Sequence, residues 1–236
     1  MKNIEINIDP VQIETRNEKT TEMDIEISEY DSQLAYLDIQ EDLTDKTIAY
    51  IEREVRQSYE YRKYIDYLKT ELDLTKCAML PGIDCSNGAV SLEFHHYPLN
   101  LYEITEIVGR KMIDSLKPNE KVSCFQISEQ VMKEHFLGHV GLIPLTKTMH
   151  EMAHNRAIII PISKVNGNYR KFLNLYKDYI PNEINDRITE AENNSESDEA
   201  KIFNREKLEK NVIKYNISYN EDDGDGDEPL GGIYVK

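Results

Sequence analysis

The sequence predicts an α+β fold: a small, mostly helical domain holding a few short strands, with acidic, flexible arms at both ends. Three observations carry this expectation. Apolar residues recur at intervals of three and four through most of the central chain, the period of a helix with one buried face. Two short segments, 89–96 and 140–143, read instead as strands. The charge lies at the ends: residues 1–45 hold 13 acidic and 3 basic residues, residues 186–236 hold 14 and 7, and the middle holds 17 and 18. The expected organisation is an acidic N-terminal arm over 1–43, a domain over 44–185, and an acidic low-complexity tail over 186–236.

Each element follows from local signals. The alternation of Asn3 to Asp9 allows one edge strand, which Pro10 stops. A helical pattern runs from Thr44 to about Leu72, with Thr44 or Asp45 as N-cap. Ile48, Ile51, Val55 and Tyr59 keep one register, while Ile65, Leu68 and Leu72 keep another, so a break near Ser58-Tyr59-Glu60 is expected. Residues 74–88 form a loop with turn signals at Pro81-Gly82 and Asn87-Gly88. The strand over 89–96 ends before Pro98. Asn100 caps the next helix, with Glu103 at the capping-box position, and Pro118 closes it. Further helices are expected at about 128–137, after Thr146 through His154 with Asn155 at its end, and over Tyr169–Tyr179. Ala157 to Pro161 reads as a buried strand. After Pro181 the polar stretches ENNSESDEAK (192–201) and EDDGDGDEPLGG (221–232) are expected to be mobile.

Composition excludes several classes. The net charge of −16 belongs to the arms and says little about the near-neutral centre. No run approaches the ~20 apolar residues of a membrane span, and the first residues carry no apolar stretch of a secretory signal. Cys77, Cys85 and Cys124 are too few for a disulfide scaffold, so a reduced, cytoplasmic setting is expected. The acidic repeat at Asp223, Asp225 and Asp227 lacks the glycine at position six and the glutamate at position twelve of a calcium-binding EF-hand loop.

The chemistry concentrates in six histidines between residues 95 and 154. His150 and His154 sit four apart on an expected helix, where i and i+4 share a face ~6 Å apart. That spacing lets two neutral imidazoles hold one divalent cation. The doublet His95-His96 closes a strand, on which adjacent side chains point to opposite faces. If His95 faces a metal, His96 is free to act on water.

The stretch Leu92-Glu93-Phe94-His95-His96, followed by Gly141-Leu142-Ile143-Pro144-Leu145-Thr146 and then His150-Glu151-Met152-Ala153-His154, resembles the HNH (His-Me finger, ββα-metal) endonucleases of phage type. The paired doublet and H-x-x-x-H are similar to those of nuclease colicins. The resemblance covers roughly residues 90–154. It implies a ββα-metal finger embedded in the helical domain, His95, His150 and His154 as metal ligands, and His96 as general base. The implied activity is hydrolysis of phosphodiester bonds in nucleic acid, with DNA the expected partner and one divalent ion (Zn, Ni, Mg or Mn) as cofactor. A phage protein of this kind would work in the host cytoplasm or in the virion. Two features depart from the family pattern. Gly141 stands where an asparagine is often found, with Asn100 a candidate substitute, and 54 residues separate His96 from His150, a long insertion in the finger loop. Arg53, Arg56, Arg62, Lys63, Lys147 and Arg156 are candidate phosphate contacts. The acidic arms are expected to engage a protein partner or to screen the catalytic face.

Two rival readings use the same residues. A non-enzymatic zinc-stabilised module would need a fourth ligand, for which His139, Cys77 or Cys85 are candidates, with His135 expected to be packed or exposed rather than a ligand. A metalloprotease would use His150-Glu151-Met152-Ala153-His154 as H-E-x-x-H, but leaves His95-His96 without a task.

Overall fold

The computed structural model describes residues 43–211, apart from 81, 82, 84, 87 and 89, together with the backbone of Asp38–Ile39. The strand expected over 3–9, the turns at Pro81-Gly82 and Asn87, most of the two acidic arms and the acidic repeat at 223–227 lie outside the described residues.

The α+β expectation holds. In chain order the elements are β1 (Asp38–Ile39), α1 (Asp45–Gln57), α2 (Tyr59–Thr70), β2 (Leu92–His96), α3 (Leu101–Asp114), β3 (Val122–Ser123), α4 (Cys124–Phe136), β4 (Leu142–Thr146), α5 (Lys147–His154), α6 (Tyr169–Tyr176), α7 (Asn182–Asn194) and α8 (Asp198–Asn211). Single 3-10 turns occupy Ile162–Lys164 and Lys177–Tyr179. The strands make two small antiparallel pairs, β1 with β3 and β2 with β4.

The break expected near Ser58 is a hinge between α1 and α2, made by one residue serving both helices. The Ser58 backbone N–H and hydroxyl donate to the Val55 carbonyl, closing α1, while its Oγ accepts the Tyr61 N–H, opening α2. Thr44 caps α1 through its side chain, and Asn100 and Glu103 form the expected capping box on α3. Helix α4 begins four residues earlier than its apolar pattern suggests, because Ser123 and Gln126 form a second capping box in front of it.

The β2–β4 pair divides two cores. Its register sets Phe94 opposite Pro144 and His96 opposite Leu142 on one face, and Glu93 opposite Leu145 and His95 opposite Ile143 on the other. The first face packs on the large core of α1 to α4 and α6, which contains Ile51, Val55, Ile104, Ile107, Ile127 and Phe172. The second covers a smaller core of Cys77, Ile143, Leu145, Met149, Met152, Ile158 and Ile160.

Three expectations are corrected. Ala157 to Pro161 is not a strand. Ile158 and Ile160 are buried, but the chain there is irregular because Ile159 finds its partner in a side chain: its N–H donates to Asn204 Oδ1 and its carbonyl accepts from Asn204 Nδ2, both at 2.7 Å. One amide thus substitutes for a neighbouring strand. Second, residues 192–201, expected to be mobile, belong to α7, its end and the start of α8. Ile188 and Ala200 are buried, Arg187 makes a forked pair with Glu103 at 2.8 Å, and Ser195 accepts the Ile162 N–H. Composition alone hides these few anchors. Third, the end of the N-terminal arm is fixed: Asp38–Ile39 pairs with Val122–Ser123, and Leu43 packs against Gly109.

Gly141, the departure from the resembled pattern, has a local reason. A Cβ at this position would stand 2.1 Å from the Tyr97 carbonyl oxygen, where the chain returns from β2. Gly141→Ala is therefore expected to cost about 2 kcal/mol in urea denaturation; an unchanged midpoint would mean the close approach is not required.

Candidate metal centre

Glu93 and His95 share the face of β2 that looks toward α5, and His96 takes the other. Helix α5 is aimed by its ends. Thr146, the last residue of β4, accepts the Met149 N–H, and Met149 and Met152 are buried in the smaller core. At the far end the Ala157 N–H donates to the Met152 carbonyl and the Arg156 N–H to the Ala153 carbonyl, with Arg156 left-handed at φ 53°. This pair of bonds is the Schellman closure, and it ends α5 just past His154.

The remaining face of α5 brings His150 and His154 to His95. One ligating atom from each of the three lies within 4.8 Å of the others. The ring centroids of His95 stand 5.0 Å from His150 and 4.8 Å from His154, and the two helix rings are 4.5 Å apart. The Nε2 atoms of His150 and His154 approach to 3.1 Å. Two unprotonated nitrogens at that distance repel unless a proton or a cation lies between them, so the arrangement suits a shared ion. Glu93 completes it. Its carboxylate contacts His150 Nδ1 at 2.5 Å, which keeps the proton on Nδ1 and turns the Nε2 lone pair toward the other two rings. A carboxylate behind a ligating imidazole is the usual outer partner of a metal site.

The electrostatics favour neutral rings. Burial, and then the neighbouring His150 and His154, pull His95 down to about 4. Burial and His150 lower His154. Neutral imidazole is the ligand form, so burial prepares His95 and His154 for a cation. Arg56, on α1, adds its positive field to His95, His96, His135 and His154 alike. It is ion-paired to Glu52 and remains partly exposed.

His96 lies on the opposite face of β2, 5% exposed, and burial holds it well below the usual histidine value. Its Nε2 is 3.0 Å from Nε2 of His135, a fully buried residue of α4. The other candidates divide plainly. Asn100 Oδ1 accepts the Glu103 N–H in its helix cap at 2.8 Å. His139 is bonded through Nδ1 to the buried Glu134 at 2.7 Å. Cys77, Cys85 and Cys124 are buried free thiols. Among the described residues only His95, His150 and His154 form a group able to hold a metal ion. Glu151, Lys147 and Arg156 are exposed, as are Arg53, Arg62 and Lys63. Two residues were missed from sequence. Glu93 was signalled by its position two before His95 on one strand face. His135 carried no signal, since a lone histidine on an apolar helix face does not reveal a buried imidazole partner 39 residues away.

A histidine trio beside a two-stranded ladder, backed by a carboxylate, gives this mostly helical protein a group able to hold a divalent cation. The chain belongs to the Bacteriophage G278-like virion protein family, whose family model matches residues 1–222. No curated protein and no solved structure matches it. No helix among the described residues is long and apolar enough to cross a membrane.

Two outcomes are expected. Glu93→Ala should weaken zinc binding about 10–100-fold in a competition titration, the usual cost of losing such an outer partner; unchanged affinity would show that Glu93 does not orient His150. Metal-free protein should also lose stability as pH falls from 6.5 toward 4. His95 and His135 both lie at about 4 when folded, against 6.5 when unfolded, so in that window the unfolded chain takes up protons that the folded chain does not. The urea midpoint at pH 5 should fall below that at pH 7.

Proposed function

We propose that the chain is a virion-associated, metal-dependent endonuclease of the HNH type. One observation carries the reading: His95 from β2 and His150 and His154 from α5 converge within 4.8 Å although His150 lies 54 positions after His96. Two antiparallel strands followed by a helix, with the doublet on the first strand and the pair on the helix, is the arrangement the resemblance implied.

In this reading His95, His150 and His154 hold one divalent ion, with Zn, Ni, Mg and Mn as candidates. When bound, the ion polarises the scissile phosphate and stabilises the leaving 3′ oxygen. The remaining work falls to the chain. Glu93 orients His150. His96 is neutral at pH 7 and takes the proton of the attacking water. Arg56, whose field reaches His95, His96 and His154, and Lys147, at the head of α5, meet the phosphates flanking the scissile bond, with DNA the favoured substrate.

A second reading, a metal-stabilised virion module without activity, draws on the near-complete burial of His96. The H-E-x-x-H protease is less well supported, since its third ligand arrives from an upstream strand and Glu151 is exposed outside the cluster.

The test is supercoiled plasmid nicking with Mg²⁺, Mn²⁺, Ni²⁺ and Zn²⁺. Wild type should nick, His96→Ala should fall about 10²–10⁴-fold while still binding zinc, and His95→Ala should lose both. Zinc bound without nicking in wild type would leave the structural module.

A further inference from the structure

The buried pair His96–His135 contains more information than its distance. His135 Nδ1 lies 2.8 Å from the carbonyl of Val131, one turn back on α4. A carbonyl only accepts, so Nδ1 carries a proton. His135 is fully buried, and burial holds its ring at about 4, so at neutral pH it is uncharged. An uncharged ring with its proton on Nδ1 has a bare lone pair on Nε2. His96 Nε2, 3.0 Å away, must therefore be the donor. The neutral His96 ring then has its own lone pair on Nδ1. Among the described residues no side-chain nitrogen is both sealed from water and unpartnered. The Nδ1 of His96, for which these residues supply no hydrogen-bond partner, therefore meets solvent at the small part of the ring left exposed.

The surroundings hold both rings in this relation. Tyr61 stacks on His96, with centroids 6.2 Å apart and planes at 15°, and presents its edge to His135 at 5.8 Å. Tyr64 closes on His135 from another side at 5.4 Å. The two imidazoles meet nearly at right angles, 81°. A flip of either ring would break a buried hydrogen bond.

We propose that His135 is a positioning residue: by accepting the Nε2–H of His96 it fixes the tautomer of that ring and reserves Nδ1 as the proton acceptor. The part concerning water rests on the nuclease reading. There, the water proton passes to His96 Nδ1, the hydroxide oxygen forms its bond to phosphorus, and the 3′ oxygen leaves. The Nε2–H bond to His135 is kept throughout. The segment between the two halves of the candidate finger thus supplies the group that orients its base.

The test uses full-length protein labelled with ¹⁵N at histidine, and long-range proton–nitrogen spectra that distinguish the two tautomers, with His96→Ala and His135→Gln assigning the signals. In wild type His96 should be protonated on Nε2 and His135 on Nδ1. In His135→Leu the His96 signal should move to a mixture of tautomers, and metal-dependent nicking should fall about 10–100-fold with zinc affinity unchanged. In His135→Gln the amide oxygen can accept the same bond, and both the tautomer and most of the nicking should return. His96 protonated on Nδ1 in wild type would overturn the proposal, even if His135→Leu fails to fold. So would a His135→Leu protein with unaltered tautomer and nicking. The expected tautomers in a wild type that does not nick would remove the nuclease reading and leave the lock standing.

Discussion

Everything around the histidines depends on the alternation of an extended strand. At His95-His96 two consecutive imidazoles must point to opposite faces of β2, and β2 lies between two cores. Neither ring can be left without a partner, because an unpaired buried polar group costs about 1–3 kcal/mol. The two faces solve the problem differently. On the face toward the helical core, His96 meets another buried imidazole. On the face toward α5, His95 meets two imidazoles at the edge of a small apolar core. A one-residue slip of β2 against β4 would exchange the two rings and destroy both arrangements, so the ladder's register is also the register of the chemistry.

The segment between the two halves makes that register affordable in entropy and then uses it. Doubling the length of a connecting loop adds only about 0.6 kcal/mol to the cost of closing it. Helices α3 and α4 outweigh this by burying Ile104, Ile107, Val108, Ile127 and Val131. The same segment carries Asn100, spent on capping α3, and His135, delivered against His96. An insertion that looks idle in the sequence is therefore the back wall of the site. Gly141 belongs to the same geometry: the chain leaving β2 and the chain entering β4 cross so closely at Tyr97 that a side chain at 141 has no room.

How far this was legible follows from the range of each signal. Local signals were readable: Thr44, Asn100 and Thr146 cap the helices they were expected to cap, and the register slip at Ser58 is a break. The convergence of His95, His150 and His154 followed from two periods, two residues on a strand and about 3.6 on a helix. What failed was non-local. Ile159 has strand-like sequence but is satisfied by Asn204, 45 residues on. The polar helix α8 looks like a tail, because its attachment rests on few residues, Ala200 and Asn204 among them. His135 looked inert because its meaning lies in a ring on another element.

The donor set separates a structural from a catalytic centre more sharply than any distance. A structural zinc is enclosed by four protein ligands, whereas a catalytic one keeps a position open for water or substrate. Here three imidazoles converge. Of the residues considered for a fourth place, His139 is held by Glu134 and Cys77 lies within the smaller core among Ile143, Leu145 and Met149, and among the described residues neither these nor Cys85 belongs to the group able to hold an ion. Glu93, the acid nearest at hand, is behind His150 rather than beside it. On the proposed nuclease reading, three imidazoles at the partly exposed edge of a ladder would leave a place on a bound ion open for water or substrate. The same geometry sets His95 and His154, whose burial favours the uncharged form, beside His150 with no fourth protein ligand among the described residues to close the site.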